Sequence, residues 1–241
     1  MTLRIAALAS GAGSNVAAIL RCIADGRLNA RMRLVVSNRP DAPVLDKARN
    51  ADIAVWARSH KDFPDRDSFD RAMFAAISEA GADTVVLAGY MRLLSPDFVR
   101  AFAGRILNIH PAILPSFPGL HGGEDALNYG VRLTGPTVHF VDERMDNGPV
   151  IIQAAVPVSS TDNEDSLMPR IHAMEHRIFP QALQWLAEDR LRIEGRRVRL
   201  MPGKPGAPLV STGISTGVST GASTGNGPLG PWMVCPPLEN F

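Results

Sequence analysis

Leu3-Arg-Ile-Ala-Ala-Leu-Ala-Ser-Gly-Ala-Gly-Ser-Asn15 is the stretch on which the fold turns. Leu3 to Ala9 is an apolar run of strand length. It ends in Ser10-Gly-Ala-Gly-Ser-Asn15, and Val16 to Ala24 follows with helical spacing. A strand that turns through glycines into a helix opens a β-α unit.

The same alternation continues outward. Met32 to Val36, Ile53 to Ala57, Asp83 to Ala88 and Arg105 to Ile109 read as strands. Val44 to Asn50, Asp67 to Ala80 and Pro96 to Phe102 read as the helices between them. Repeated units of this kind predict a mostly parallel sheet covered by helices. After residue 110 the pattern changes. Pro111, Pro115, Pro118 and Gly119 mark a loop. Thr137 to Val141 and Val150 to Val158 read as two strands joined through Asp146-Asn147-Gly148, a hairpin-type connection. A long helix is expected from Thr161-Asp-Asn-Glu164, read as a capping box, with Leu167, Ile171, Met174, Ile178, Ala182 and Trp185 at helical spacing. Pro169 is expected to shift or kink its start. The fold class is α/β: a Rossmann-like, mostly parallel sheet flanked by helices, with an antiparallel C-terminal extension.

From Pro202 the composition shifts. Ser-Thr-Gly recurs at 211, 215, 219 and 223, and Lys204 and Glu239 are the only charged residues. So small and polar a segment buries too little surface to offset its ordering entropy. The expected organisation is a domain over 1–200 and a flexible tail over 201–241, in which Pro231-Trp-Met-Val234 is the part most suited to dock.

Composition excludes more than it selects. Across 241 residues the net charge is +1, with 45% hydrophobic and 20% charged residues. Nothing there calls for a nucleic-acid or membrane partner, and no apolar run approaches the ~20 residues of a bilayer span. Cys22 and Cys235 stand far apart, in no metal-ligand spacing. The expectation is a cytoplasmic protein acting on small molecules, monomeric or homodimeric.

Three groups of residues can carry chemistry. Backbone N–H groups at the Gly-rich turn, with the helix N-terminus behind them, attract phosphate; the same turn also serves as a plain connection. Val16 stands where a dinucleotide fingerprint needs its third glycine, and Ser37-Asn38 brings no acid for a ribose, so a dehydrogenase is disfavoured. Asn108 and His110 end a strand on the same side, where ligands of open α/β sheets bind. His can move protons and Asn can donate to an oxyanion, or both are satisfied strand-end side chains. Asp146 lies in a Met-Asp-Asn-Gly turn, where local hydrogen bonding explains an Asp equally well. His139, mid-strand, is read as structural. Glu175, beside Ile171 and Ile178 on an apolar helix face, needs a partner or a ligand.

The ordered set Gly11-Ala-Gly-Ser-Asn15, Leu87-Ala-Gly-Tyr-Met-Arg-Leu-Leu-Ser95, Leu107-Asn-Ile-His-Pro-Ala-Ile-Leu-Pro115, Phe117-Pro-Gly-Leu-His121, Val138-His-Phe-Val141, Met145-Asp-Asn-Gly-Pro-Val-Ile-Ile-Gln153 and Glu175-His-Arg-Ile-Phe-Pro180 resembles the folate-dependent formyltransferases, specifically those that act on glycinamide ribonucleotide in purine biosynthesis. The resemblance covers about residues 3–198. It implies formyl transfer from 10-formyltetrahydrofolate as co-substrate, with no metal. It implies Asn108, His110 and Asp146 as the catalytic set. Gly13, Ser14 and Asn15 would hold the substrate phosphate, and His172, Ala173, Met174 and Glu175 would line the same substrate. Met91, Arg92, Leu93, Leu94 and Arg66, with Asn108, would form the folate pocket, closed by Asp142, Glu143, Arg144, Met145 and Asp146. One departure stands out: Gly122-Gly123 follows Gly-Leu-His where the family continues Thr-His. Formyltetrahydrofolate hydrolases add an N-terminal regulatory domain and methionyl-tRNA formyltransferases a basic C-terminal one. A first strand at Leu3 and a nearly uncharged tail match neither. A non-catalytic binder of phosphorylated ligands would not need the Asn108, His110 and Asp146 set.

Overall fold

The computed structural model describes residues 1–203, 233–239 and 241. Its first half alternates β1 (Leu3–Leu8), α1 (Ser14–Ala24), β2 (Ala30–Ser37), α2 (Val44–Arg49), β3 (Val55–Ala57), α3 (Arg66–Glu79), β4 (Thr84–Leu87), α4 (Pro96–Ala101) and β5 (Ile106–His110). Then come α5 (Gly122–Tyr129), β6 (Leu133–Thr134), β7 (Thr137–Phe140), β8 (Val150–Pro157), α6 (Glu164–Ala187), β9 (Leu191–Glu194), β10 (Arg197–Leu200) and β11 (Met233–Cys235). The sheet runs β3-β2-β1-β4-β5-β7-β8-β10-β9, with β6 and β11 also on β8. The first five strands are parallel; β7 is antiparallel to β5, and β8 to β7. This is the expected mostly parallel sheet with an antiparallel extension.

Strand alternation divides the core in two. Ile5 and Ala7 of β1 face α1, α2 and α6, whereas Ala6 and Leu8 face α3 and α4. On α6, Ile171, Ile178, Phe179, Ala182 and Trp185 are fully buried, and a large apolar side chain so placed contributes about 1.5–3 kcal/mol. From β1 the chain moves outward to β2 and β3, then crosses back to β4 on the other side of β1. The loops after β1 and β4 therefore part, and such a switch point leaves a crevice at the C-terminal strand ends.

Three expectations need correction. The capping box belongs to Asn163 and Ser166, not to Thr161 and Glu164: Asn163 Oδ1 accepts from the Ser166 N–H at 2.9 Å, and the Asn163 N–H donates to Ser166 Oγ at 3.0 Å. Thr161 instead contacts Ser159 Oγ. Pro169 does not delay α6, which begins at Glu164 and runs through both Pro169 and Pro180. The loop expected at Pro111 to Gly119 is present, whereas α5, which follows it, and the β9–β10 hairpin went unread. The expected flexible tail falls largely on 204–232, outside the described residues. Its far end does not stand free: β11 pairs antiparallel with β8, and Leu238 and Phe241 pack against the α1/α6 core. Composition averaged over forty residues hid a short apolar end.

Candidate active site

Ser10 stitches the crevice at the end of β1. Its N–H donates to the Gly89 carbonyl at 3.0 Å, and its Oγ donates to Asn38 Oδ1 at 2.6 Å while accepting from the Met91 N–H at 2.9 Å. Gly13 follows at φ +70°, where any Cβ would stand 2.3 Å from Val44 Cγ2, so only glycine fits between the turn and α2. Gly13 caps α1 with no side-chain hydrogen bond, and the first turn holds no acidic residue. The first N–H groups of α1 thus meet no capping side chain, the arrangement that receives an anion. Beside them Asn15 Nδ2 donates to Glu175 Oε2 at 2.7 Å, and Asn15 Oδ1 is buried without a partner among the described residues. Burial pushes the Glu175 carboxyl above its ordinary range, against the lowering effects of Asn15 and His172.

The β5–β7 ladder builds the second group. Asn108 on β5 lies directly opposite His139 on β7. The His139 Nδ1 is 2.8 Å from the Phe140 carbonyl, which can only accept, so Nδ1 carries the proton. Burial lowers the His139 pKa, leaving the ring neutral with an Nε2 lone pair. That lone pair, 3.0 Å from Asn108 Nδ2, fixes which way the amide points. Asn108 Nδ2 also reaches Asp146 Oδ1 at a longer 3.4 Å. His110 lies two residues on. Its Nε2 is 2.7 Å from the Phe117 carbonyl and its Nδ1 is 3.6 Å from Asp146 Oδ2, so an acceptor faces each nitrogen. Asp146 is held at φ +49° in the β7–β8 loop, and its Oδ2 accepts from the Gly119 N–H at 2.8 Å.

Sequence reading had grouped Asn108, His110 and Asp146; the structure brings them together and adds His139, whose signal was its register opposite Asn108. Gly122 has a local reason as well. A Cβ there would stand 2.6 Å from His110 Nε2, so the glycine lets the start of α5 lie against the ring. His121 is exposed and 3.3 Å from Glu124.

Ser10, Gly13, Asn15 and Glu175, with Asn108, His110, His139 and Asp146, border one cavity of about 740 Å³, within the size range of small-molecule sites. Its wall includes Gly13, Ser14 and Asn15, then Met91, Arg92, Leu93 and Leu94 after β4, then Arg66, and the loop Asp142, Glu143, Arg144, Met145 and Asp146. His172 and Glu175 reach it from α6. Ala173 is not among its lining residues, and Met174 is buried in the core, because only one face of a 3.6-residue helix meets the cavity. Arg92 lies 5.2 Å over the Phe69 ring. The 142–147 loop is tied by Asn147 to Asp142 at 2.7 Å and by Arg100 to Glu143 at 2.7 Å.

Residues 3–183 match the formyl transferase family. The chain is 44% identical to phosphoribosylglycinamide formyltransferase of Escherichia coli (strain K12), over 79% of this chain and 90% of that one. The chain belongs to the formyl transferase family, among its phosphoribosylglycinamide formyltransferases. It is also similar to the trifunctional purine biosynthetic protein adenosine-3 of Drosophila melanogaster, at 46% identity over 76% of this chain and 14% of that protein. The crystal structure of glycinamide ribonucleotide transformylase 1 from Symbiobacterium toebii superposes with a TM-score of 0.82 at 47% identity, over 83% of this chain and 95% of that one. Among the described residues, no helix is long and apolar enough to cross a membrane.

Proposed function

We propose that this formyltransferase moves the formyl group of 10-formyltetrahydrofolate to the primary amine of glycinamide ribonucleotide. The observation that carries the reading is the single cavity shared by an uncapped helix start, an apolar loop, and the Asn108, His110 and Asp146 cluster. The α1 N-terminus with Gly13, Ser14 and Asn15 receives the substrate phosphate, and Glu175 with His172 faces its ribose. Met91 to Leu94, Arg66 and the 142–146 loop receive the folate. Both reactants are small molecules. No step calls for a metal, and the setting we assign is cytoplasmic.

The amine nitrogen attacks the formyl carbon, the carbonyl π pair moves to oxygen, and a tetrahedral oxyanion forms. His110 stabilises that charge and relays the amine proton to the departing folate nitrogen, as the carbon–nitrogen bond to folate breaks. Asp146, 3.6 Å from Nδ1, orients the ring and balances its charge during the relay. Asn108 supplies a second donor to the oxyanion. Both its N–H groups already have partners, and the 3.4 Å contact to Asp146 is the weaker, so that hydrogen is the one to turn toward substrate.

Purified protein with both substrates, followed by absorbance of the tetrahydrofolate product, tests this directly. Formyl transfer that requires glycinamide ribonucleotide is expected. Hydrolysis that ignores the amine, or transfer to methionyl-tRNA instead, overturns it.

A further inference from the structure

Beyond the cavity, the last described residues run from β8 to the groove between α1 and α6. Met233, Val234 and Cys235 pair with Ala155, Ala154 and Gln153 of β8. Both carboxylate oxygens of Glu239 accept from Arg190, at 2.6 and 2.7 Å, while its N–H donates to Gln181 Oε1 of α6 at 2.7 Å. This fork is bidentate, and the Arg190 side chain is 11% exposed, so solvent screens it less than a surface pair. The Phe241 main-chain oxygen accepts from Nε and Nη2 of Arg177, on α6, at 3.3 and 3.1 Å. Arg27, just past α1, lies 5.6 Å over the Phe241 ring. Phe241 therefore touches both α6 and the turn that follows α1.

The same helix pair carries the amine-substrate end of the cavity: Asn15 sits in the first turn of α1, and Glu175 lies two residues before Arg177. Two residues of helix are about 3 Å of rise, so a contact that fixes Arg177 also fixes the height of Glu175 against α1. We infer that residues 233–239 and Phe241 form a strap that sets the α1–α6 spacing, with Glu239 and Phe241 as positioning residues for binding of the phosphorylated amine substrate. The inference rests on the assignment of that substrate to the α1–α6 end. Neither residue lines the cavity, so the strap acts on affinity for one substrate rather than on the chemical step.

The test compares the full chain with the Glu239→Gln/Phe241→Ala double variant, with Phe241→Tyr, and with a chain ended at residue 203. In the double variant KM for glycinamide ribonucleotide is expected to rise about fivefold, equivalent to about 1 kcal/mol. KM for the folate and kcat should stay within about twofold. Phe241→Tyr keeps the ring and the main-chain oxygen, so it retains wild-type constants. A synthetic 233–241 peptide, added to the shortened chain, returns KM toward the wild-type value. Hydrogen exchange at α1 and α6 amides rises in the double variant whether or not the enzyme is assayed. That readout separates the strap from the substrate assignment, which wild-type turnover judges alone. Unchanged exchange and unchanged KM in the folded double variant overturn the strap. So does a parallel rise of both KM values with a fall in kcat and melting temperature, which marks general loosening.

Discussion

Removing the Asn15 amide probes the α1–α6 junction most directly. Asn15 and Glu175 are 7% and 4% exposed, and their hydrogen bond is 2.7 Å long. A hydrogen bond to a buried charged group contributes about 1.5–3 kcal/mol. Asn15→Ala is therefore expected to cost about 2 kcal/mol, which at about 2–4 °C per kcal/mol lowers Tm by about 4–8 °C. The loss depends on pH. Burial raises the Glu175 pKa above its ordinary value of 4.5, so the folded chain holds this proton longer than the unfolded chain does. Its contribution to stability is then highest below the ordinary value and falls as pH rises through the raised folded one. Asn15 stabilises the ionised form, so its removal raises the folded value further and deepens the fall. The Tm deficit of Asn15→Ala should be small near pH 4.5 and grow as pH rises through the raised folded value. Glu175→Gln keeps the shape without the ionisable group, so its Tm should lack this pH-dependent fall. Thermal melts across this range, with KM measured for each substrate, give the assay. KM for glycinamide ribonucleotide rises in Asn15→Ala while KM for the folate holds. A deficit equal at acid and neutral pH, or no deficit, refutes the picture of a buried carboxylate held by Asn15.

Asp146→Asn is expected to cut turnover by at least ~100-fold with little change in amine-substrate KM, the scale of a lost acid–base group; steady-state kinetics with turnover preserved would reduce Asp146 to a turn residue. Asn108→Ala and His110→Ala each slow turnover strongly, and the double variant loses less than the product of the two because both act on one intermediate; independent, multiplicative losses count against the shared oxyanion. His139→Phe removes the acceptor that aims the Asn108 amide, so kcat should fall while both KM values stay close to wild type. Dialysis against a chelator leaves activity unchanged, and loss restored by a divalent metal contradicts the mechanism.

The parallel half of the fold was legible because each β-α unit announces itself locally, as Leu3 to Ala24 does with an apolar run, two glycines and a helical period. Asn108 and His110 were legible as a pair because alternation puts them on one side of β5. What local pattern does not carry is pairing. His139 looked structural because nothing in its neighbours says that β7 runs antiparallel to β5 with His139 opposite Asn108. The partners of Glu175 and of Asp146 are likewise tertiary, 160 and 27 residues away at Asn15 and Gly119. α5 escaped because eight residues opening on Gly122-Gly123 have poor intrinsic helicity, and those glycines serve a tertiary need, the close approach of the backbone to His110 and Met168. At the end of the chain, Pro231-Trp-Met-Val234 was legible as the part most suited to dock, but its partner, the β8 edge, was not.

The ladder between β5 and β7 sets where this enzyme can accept insertions and deletions. Successive residues of a strand face opposite sides of a sheet, so loss or gain of one residue in β7 would replace His139 by Val138 or Phe140, both now in the core. The β7–β8 register already shifts between Val138 and His139, which leaves no slack there to absorb a change in length. The turn from Gly130 to Arg132 borders no part of the cavity; Val131 packs on the core and the Arg132 carbonyl accepts from the Val158 N–H at 2.9 Å, so a change of length there bears on stability rather than on the catalytic groups. Libraries that vary chain length should therefore keep activity when changes fall in that turn, and lose it when a single residue is removed from either strand, even where the shortened protein still folds.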